Sequence, residues 1–128
     1  MTRSQMISLA KNWRLRGASL LNDETVKYIN GIGAAWFPSW LRGAVTALHP
    51  ILSVASVPHD VRYELGGGRS DRLRADWEWL INSWKCAAHV YRPWHLRFWL
   101  VGLQGTWFFV LLRIFGAAAF NYHRKEKK

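Results

Sequence analysis

A chain of 128 residues is long enough for one domain with a single modest core. Its 18 basic and 8 acidic side chains give a net charge of +10, which disfavours a cationic partner and favours a bilayer surface, a nucleic acid or another acidic surface. Cys86 is the only cysteine, so an intrachain disulfide is excluded and a thiolate metal site is disfavoured.

Half of the residues are hydrophobic and nine are tryptophan. A soluble domain of this size struggles to bury nine indoles, and some are expected at a membrane interface or against a partner. An aromatic-rich core is the alternative. Charge is unevenly spread. Asp60, Glu64, Asp71, Asp76 and Glu78 share residues 59–78 with Arg62, Arg69, Arg72 and Arg74. That window carries −1 and the rest of the chain +11. An acid-rich segment inside a basic shell could hold a cation.

The N-terminus, MTRSQMISLAKNW, lacks the apolar run of a secretory signal, and export by that route is not expected. Residues 1–21 are basic with scattered apolar positions (Ile7, Leu9, Trp13, Leu15, Leu20, Leu21), as in an amphipathic surface-binding arm or a mobile tail. Asn22 can cap a short helix through about Ile29, with Asp23 and Glu24 in its first turn and Asn30-Gly31 as its stop. Residues 31–43 then read as a glycine-bounded loop followed by an aromatic, proline-containing segment.

Two helices are predicted at about 51–65 and 70–88, split by Gly66-Gly67-Gly68. Because an interior proline kinks a helix, Pro58 places the start of the first near Ser56. Ser70 or Asp71 can cap the second. Residues 89–97 form an aromatic and basic connector. From Phe98 to Phe120 runs an apolar stretch interrupted by Gln104 and Arg113. Its length is about that needed to cross a bilayer, roughly 20 residues. Arg113 is costly in lipid unless paired, which favours a buried or interfacial helix over a span. Residues 124–128 are a solvated basic end that could touch anionic headgroups.

Chemistry concentrates on the helical pair. His59 and Tyr63 are four apart and share a face, with Asp60 about a quarter-turn away. Leu73, Trp77, Leu80, Ile81 and Trp84 mark an inward stripe that includes Asp76, and an ionised carboxylate there needs a strong partner. The turn occupies residues 65–69, so His59 and Asp76 lie roughly 9 and 10.5 Å from the hairpin end and should face each other. A carboxylate so placed fixes the imidazole tautomer and leaves the other nitrogen to accept a proton, while Tyr63 donates to the carboxylate. Spacing alone equally allows a structural His–Asp–Tyr network, with Arg62 and Arg74 as ordinary surface charges. The other histidines (His49, His89, His95, His123) show no ligand spacing.

The segment VPHDVRYELGG followed by RLRADWEW resembles the phospholipase A2 superfamily, in particular its small phage- or prophage-encoded members. Asn30-Gly31-Ile32-Gly33-Ala34 looks like that family's calcium loop, and Trp36 to Trp40 and Arg113 to Gly116 resemble elements of the phage-type members. The resemblance covers roughly residues 30–120. It implies an all-α fold: an antiparallel two-helix catalytic hairpin with additional N- and C-terminal helices and no disulfides. The corresponding division is a basic arm and short helix at 1–30, a phospholipase A2-like domain at 31–122 and a basic tail at 123–128.

The resemblance further implies calcium-dependent hydrolysis of a phospholipid acyl ester. Asp60 and the carbonyls near Gly31, Gly33 and Ala35 would hold Ca²⁺, and the Gly33 N–H would help stabilise the oxyanion. His59 would be the general base, Asp76 its orienting carboxylate and Tyr63 the support of Asp76. Two cysteine pairs common in the family are replaced here, at Ile32 with Ser56 and at Arg62 with Ala75, as suits a reducing compartment. Pro58 before the histidine is another departure.

The expected partner is a phospholipid bilayer or anionic membrane surface, with a virion or other phage protein as a second possibility. The expected location is the cytoplasmic face of a membrane or a virion. A catalytically silent membrane-associated or virion structural protein that keeps the hairpin is the alternative. Nucleic acid is the less favoured partner, because the apolar terminal stretch has no role there.

Overall fold

The computed structural model describes residues 3–25 and 50–116. These form four α-helices, α1 Arg3–Asn12, α2 Leu52–Leu65, α3 Arg69–Val90 and α4 Leu96–Phe115, with a 3-10 turn at Ala18–Leu20. No strand occurs among the described residues, and Cys86 is a buried free thiol. The fold is all-α, as the sequence predicts.

The α2–α3 turn forms where the glycine run lies. Gly66 and Gly67 adopt φ of +72° and +135°, values that side-chain-bearing residues rarely reach. The Gly66 N–H closes α2 on the Arg62 carbonyl at 2.9 Å. Gly68, not Ser70 or Asp71, is the N-cap of α3. Asp71 instead caps from the third position, its Oδ2 accepting the Gly68 N–H at 2.9 Å.

The start of α2 and the inward face of α3 also depart from expectation. Helix α2 begins at Leu52 rather than near Ser56 and carries Pro58 in its interior. An interior proline costs about 3 kcal/mol, while each fully buried Leu or Val contributes about 1.5–3 kcal/mol. Leu52, Val54, Val57 and Val61 are all fully buried, so packing outweighs the missing bond. The inward face of α3 also differs from the predicted stripe. Leu73 and Trp77 are exposed and Leu80, Ile81 and Trp84 half-buried, whereas Arg72, Asp76, Trp79, Asn82 and Cys86 are buried.

That face is polar because its groups find partners. The Asn82 amide accepts the Arg16 N–H at 2.8 Å and donates to the Arg16 carbonyl at 3.0 Å. Trp79 Nε1 donates to the Gly105 carbonyl at 2.9 Å. Buried polar groups with such partners escape most of the desolvation penalty.

Residues 3–21 are neither a loose tail nor a surface arm. Ala10, Leu15 and Leu21 join the same buried cluster as Val57, Trp79 and Leu111. Asn22 Oδ1 accepts from the N–H groups of Glu24 and Thr25 at 2.9 and 3.0 Å, across a turn at Asp23–Glu24. The remainder of the segment predicted as a helix over 22–29 lies outside the described residues, as do the loop at 31–43 and residues 117–120.

Helix α4 packs its glycine side against α3. A Cβ at Gly105 would overlap Ser83. The close approach fixes the register of α4 on α3, and with it the position of everything further along α4.

Candidate active site

One buried carboxylate gathers groups from three helices. His59 and Tyr63 lie one turn apart on α2, their ring centroids 4.2 Å from each other. Asp76 faces them from α3, fully buried. Its Oδ1 lies 3.1 Å from His59 Nε2 and accepts the Tyr63 hydroxyl at 2.5 Å. Its Oδ2 accepts from Arg113 Nη1 of α4 at 2.6 Å, with Arg72 Nε 4.0 Å away. Charge-assisted bonds of this kind are the strong ones.

The electrostatics follow from that packing. Burial pushes the Asp76 carboxyl up, but the hydrogen bond and charge of His59, then the bonds from Tyr63 and Arg113, outweigh it and hold the group below its ordinary value. Tyr63 is driven well above the ordinary phenol range, first by burial and then by the charge of Asp76 beside it. Asp76 is therefore an ionised acceptor and Tyr63 a donor.

An ionised carboxylate accepts only, so the neutral imidazole carries its proton on Nε2 and Nδ1 is the basic nitrogen. His59 keeps 8 % of its surface exposed against none for Asp76. The imidazole is thus the member of the pair that can meet a substrate. Trp79 braces it edge-on at 6.0 Å between ring centroids. The arrangement has the parts of a base and its orienting acid.

Two further devices hold the cluster. Arg72 Nη2 donates to the carbonyls of Leu112 and Arg113 at 2.9 and 3.0 Å, satisfying the last turn of α4 with a cation where the helix dipole is negative. Gly116, which follows α4, lies against the Tyr63 hydroxyl; a Cβ there would sit 2.5 Å from it. On the outer side, Arg62 pairs with Glu78 through both Nε and Nη2, the second bond being 3.1 Å. Arg62 is therefore not an ordinary surface charge.

Of the predicted site residues, the structure brings His59, Tyr63 and Asp76 together. Asp60 is half-buried on α2, next to His59 in the chain. Gly31, Gly33 and Ala35 lie outside the described residues. Among the described residues no three His, Cys, Asp or Glu side chains gather as metal ligands. Asp60 alone falls well short of the six to eight oxygens calcium takes.

Sequence reasoning missed Arg72, Gly116 and the role of Arg113. The available signal for Arg113 was its cost: a cation inside an apolar helix needs a buried anion, and Asp76 needed a partner of its own. Comparison of the chain with protein-family models, with curated proteins and with solved structures gives no match.

Proposed function

We propose that this protein is a phospholipase A2-like carboxylic ester hydrolase acting on a phospholipid acyl ester. The observation that carries this reading is the 3.1 Å approach of His59 Nε2 to Asp76 Oδ1, with Tyr63 on the same oxygen. In this reading His59 Nδ1 takes a proton from water as its oxygen attacks the ester carbonyl carbon. The proton then passes to the departing alkoxide. Asp76 balances the transient imidazolium, and Arg113 keeps the carboxylate ionised between turnovers. Calcium is the proposed cofactor, with Asp60 its one described ligand; bound there, it would polarise the ester carbonyl. Residues near Gly31, Gly33 and Ala35 would supply the remaining ligands and an oxyanion donor. A phage or prophage origin, and action at the cytoplasmic face of a membrane or in a virion, belong to the same proposal and rest on the sequence resemblance.

The test is fatty-acid release from phospholipid vesicles, with calcium or with chelator. Release that needs calcium and is lost in His59→Gln supports the reading. Equal release from His59→Gln, or none from the wild type in any condition, overturns it.

One observation favours a second reading. Both Asp76 oxygens are already engaged and the pair is almost wholly buried, as in a purely structural network. A catalytically silent membrane-associated or virion structural protein would keep that network for stability. It would bind vesicles without cleaving them.

A further inference from the structure

Helix α4 has two faces of opposite character. Val101, Gly102, Gly105, Phe108 and Leu112 are buried. Along the other side Leu96, Leu100, Leu103, Trp107, Val110 and Ile114 are exposed, Trp107 at 58 % and Ile114 at 63 %. The eighteen steps of helix from Leu96 to Ile114 make this stripe roughly 27 Å long. Trp77 of α3 widens it, exposed and edge-on to Phe109 at 6.0 Å between ring centroids. At the start of the helix Trp94 is exposed, with the Arg92 guanidinium 5.4 Å from its ring. An apolar strip of this extent on a small soluble domain marks an interaction surface.

Charge decides what covers it. From residue 79 to residue 116 there is no Asp or Glu, while Lys85 of α3, Arg92 before α4 and Arg97 on it are basic. A second copy of the chain would set these cations against one another. An anionic headgroup layer would complement them. The indoles suit the same place, since tryptophan concentrates where apolar and wet phases meet.

The helix is long and apolar enough to cross a membrane. Its reverse side, however, is locked to α3, which exposes Arg69 and Arg74, and Arg113 is tied to Asp76. Crossing would carry those charges into hydrocarbon. We infer that the outer face of α4, with Trp77 and Trp94, is a docking surface that lies flat on an anionic bilayer. The inference deepens the hydrolase reading by naming the surface that would meet its lipid, and its physical basis is independent of catalysis.

The experiment uses the full chain with phosphatidylglycerol-containing vesicles and with neutral phosphatidylcholine vesicles, both carrying brominated acyl chains. Anionic vesicles are expected to quench tryptophan emission and to retain the protein on sedimentation. Binding to neutral vesicles, and binding of Leu103→Glu/Val110→Glu to anionic ones, should each be weaker by about tenfold or more. The double variant should keep wild-type helicity and melting temperature, because both side chains are exposed. His59→Gln should bind like the wild type. Binding that ignores headgroup charge, or a double variant that binds normally, overturns the inference. So does a lipid-free dimer that Leu103→Glu/Val110→Glu dissociates. Vesicle binding without ester cleavage removes the hydrolase reading and leaves the docking surface standing.

Discussion

Arg113 donates to Asp76 Oδ2 across 2.6 Å, so the most apolar helix of the protein supplies the cation that balances its most buried carboxylate. The two residues are 37 apart in sequence and belong to different helices. Their meeting ties the stability of the polar cluster to the seating of α4.

Replacing Arg113 by leucine should therefore cost more than a surface salt bridge is worth. Breaking a buried pair costs about 3–5 kcal/mol, and with the Arg113 side chain 33 % exposed the expected loss is nearer the lower figure. Arg113→Lys should recover part of it, and Arg113→Leu combined with Asp76→Asn should be less unstable than the single effects added together. Urea unfolding of the wild type, the three single variants and the double variant measures this. Additive losses would mean that the pair does not interact.

The cluster should also set the protein's pH limits. The folded Asp76 carboxyl lies below its ordinary value of 3.8, so its contribution is complete above that value and is lost as pH falls through the folded one. Tyr63 is raised above 10.0, so its contribution is complete below that value and is lost only as pH climbs through the folded one. Thermal unfolding on the acid side should fall more steeply for the wild type than for Asp76→Asn. On the alkaline side one of the four tyrosines should form phenolate only with unfolding, and Tyr63→Phe should abolish that late step. A wild type and Asp76→Asn with parallel acid profiles would contradict the assignment.

Gly116→Ala tests the fit around the phenol. The new methyl would sit 2.5 Å from the Tyr63 hydroxyl, so either Tyr63 shifts off Asp76 or the end of α4 lifts. Overpacking of this kind costs about 1–3 kcal/mol. Under the hydrolase proposal activity should fall too, although no proposed catalytic group is replaced. Adding Tyr63→Phe, which removes the crowded oxygen, should restore most of the stability. No gain in melting temperature on that addition would place the strain elsewhere.

Much of the cluster was legible in the sequence because it depends on short-range regularities. Helical spacing puts His59 beside Tyr63, and the glycine run sets the level at which α3 returns, so Asp76 could be placed opposite them. Which face of α3 turns inward was not legible by hydropathy. Asn82, Trp79 and Arg72 are buried because backbone carbonyls and N–H groups from distant segments meet them, and no local pattern announces those partners. Arg113 escaped for the same reason. Its position depends on how far α4 slides along α3, and that is fixed by the contact of Gly105 with Ser83. Pro58 misled because its local penalty is visible in the sequence, whereas the burial of Leu52, Val54 and Val57 that overrides it is not.

The two-pronged grip of Asn82 on the Arg16 peptide gives the beginning of the chain a different standing from its composition. A segment that reads as an amphipathic arm or mobile tail acts as a stopper, with Leu15 and Leu21 in the buried core cluster and its Arg16 peptide held by Asn82. A chain shortened past Arg16 would not be a trimmed domain. It would be one with an uncorked polar hole in the helix that carries Asp76.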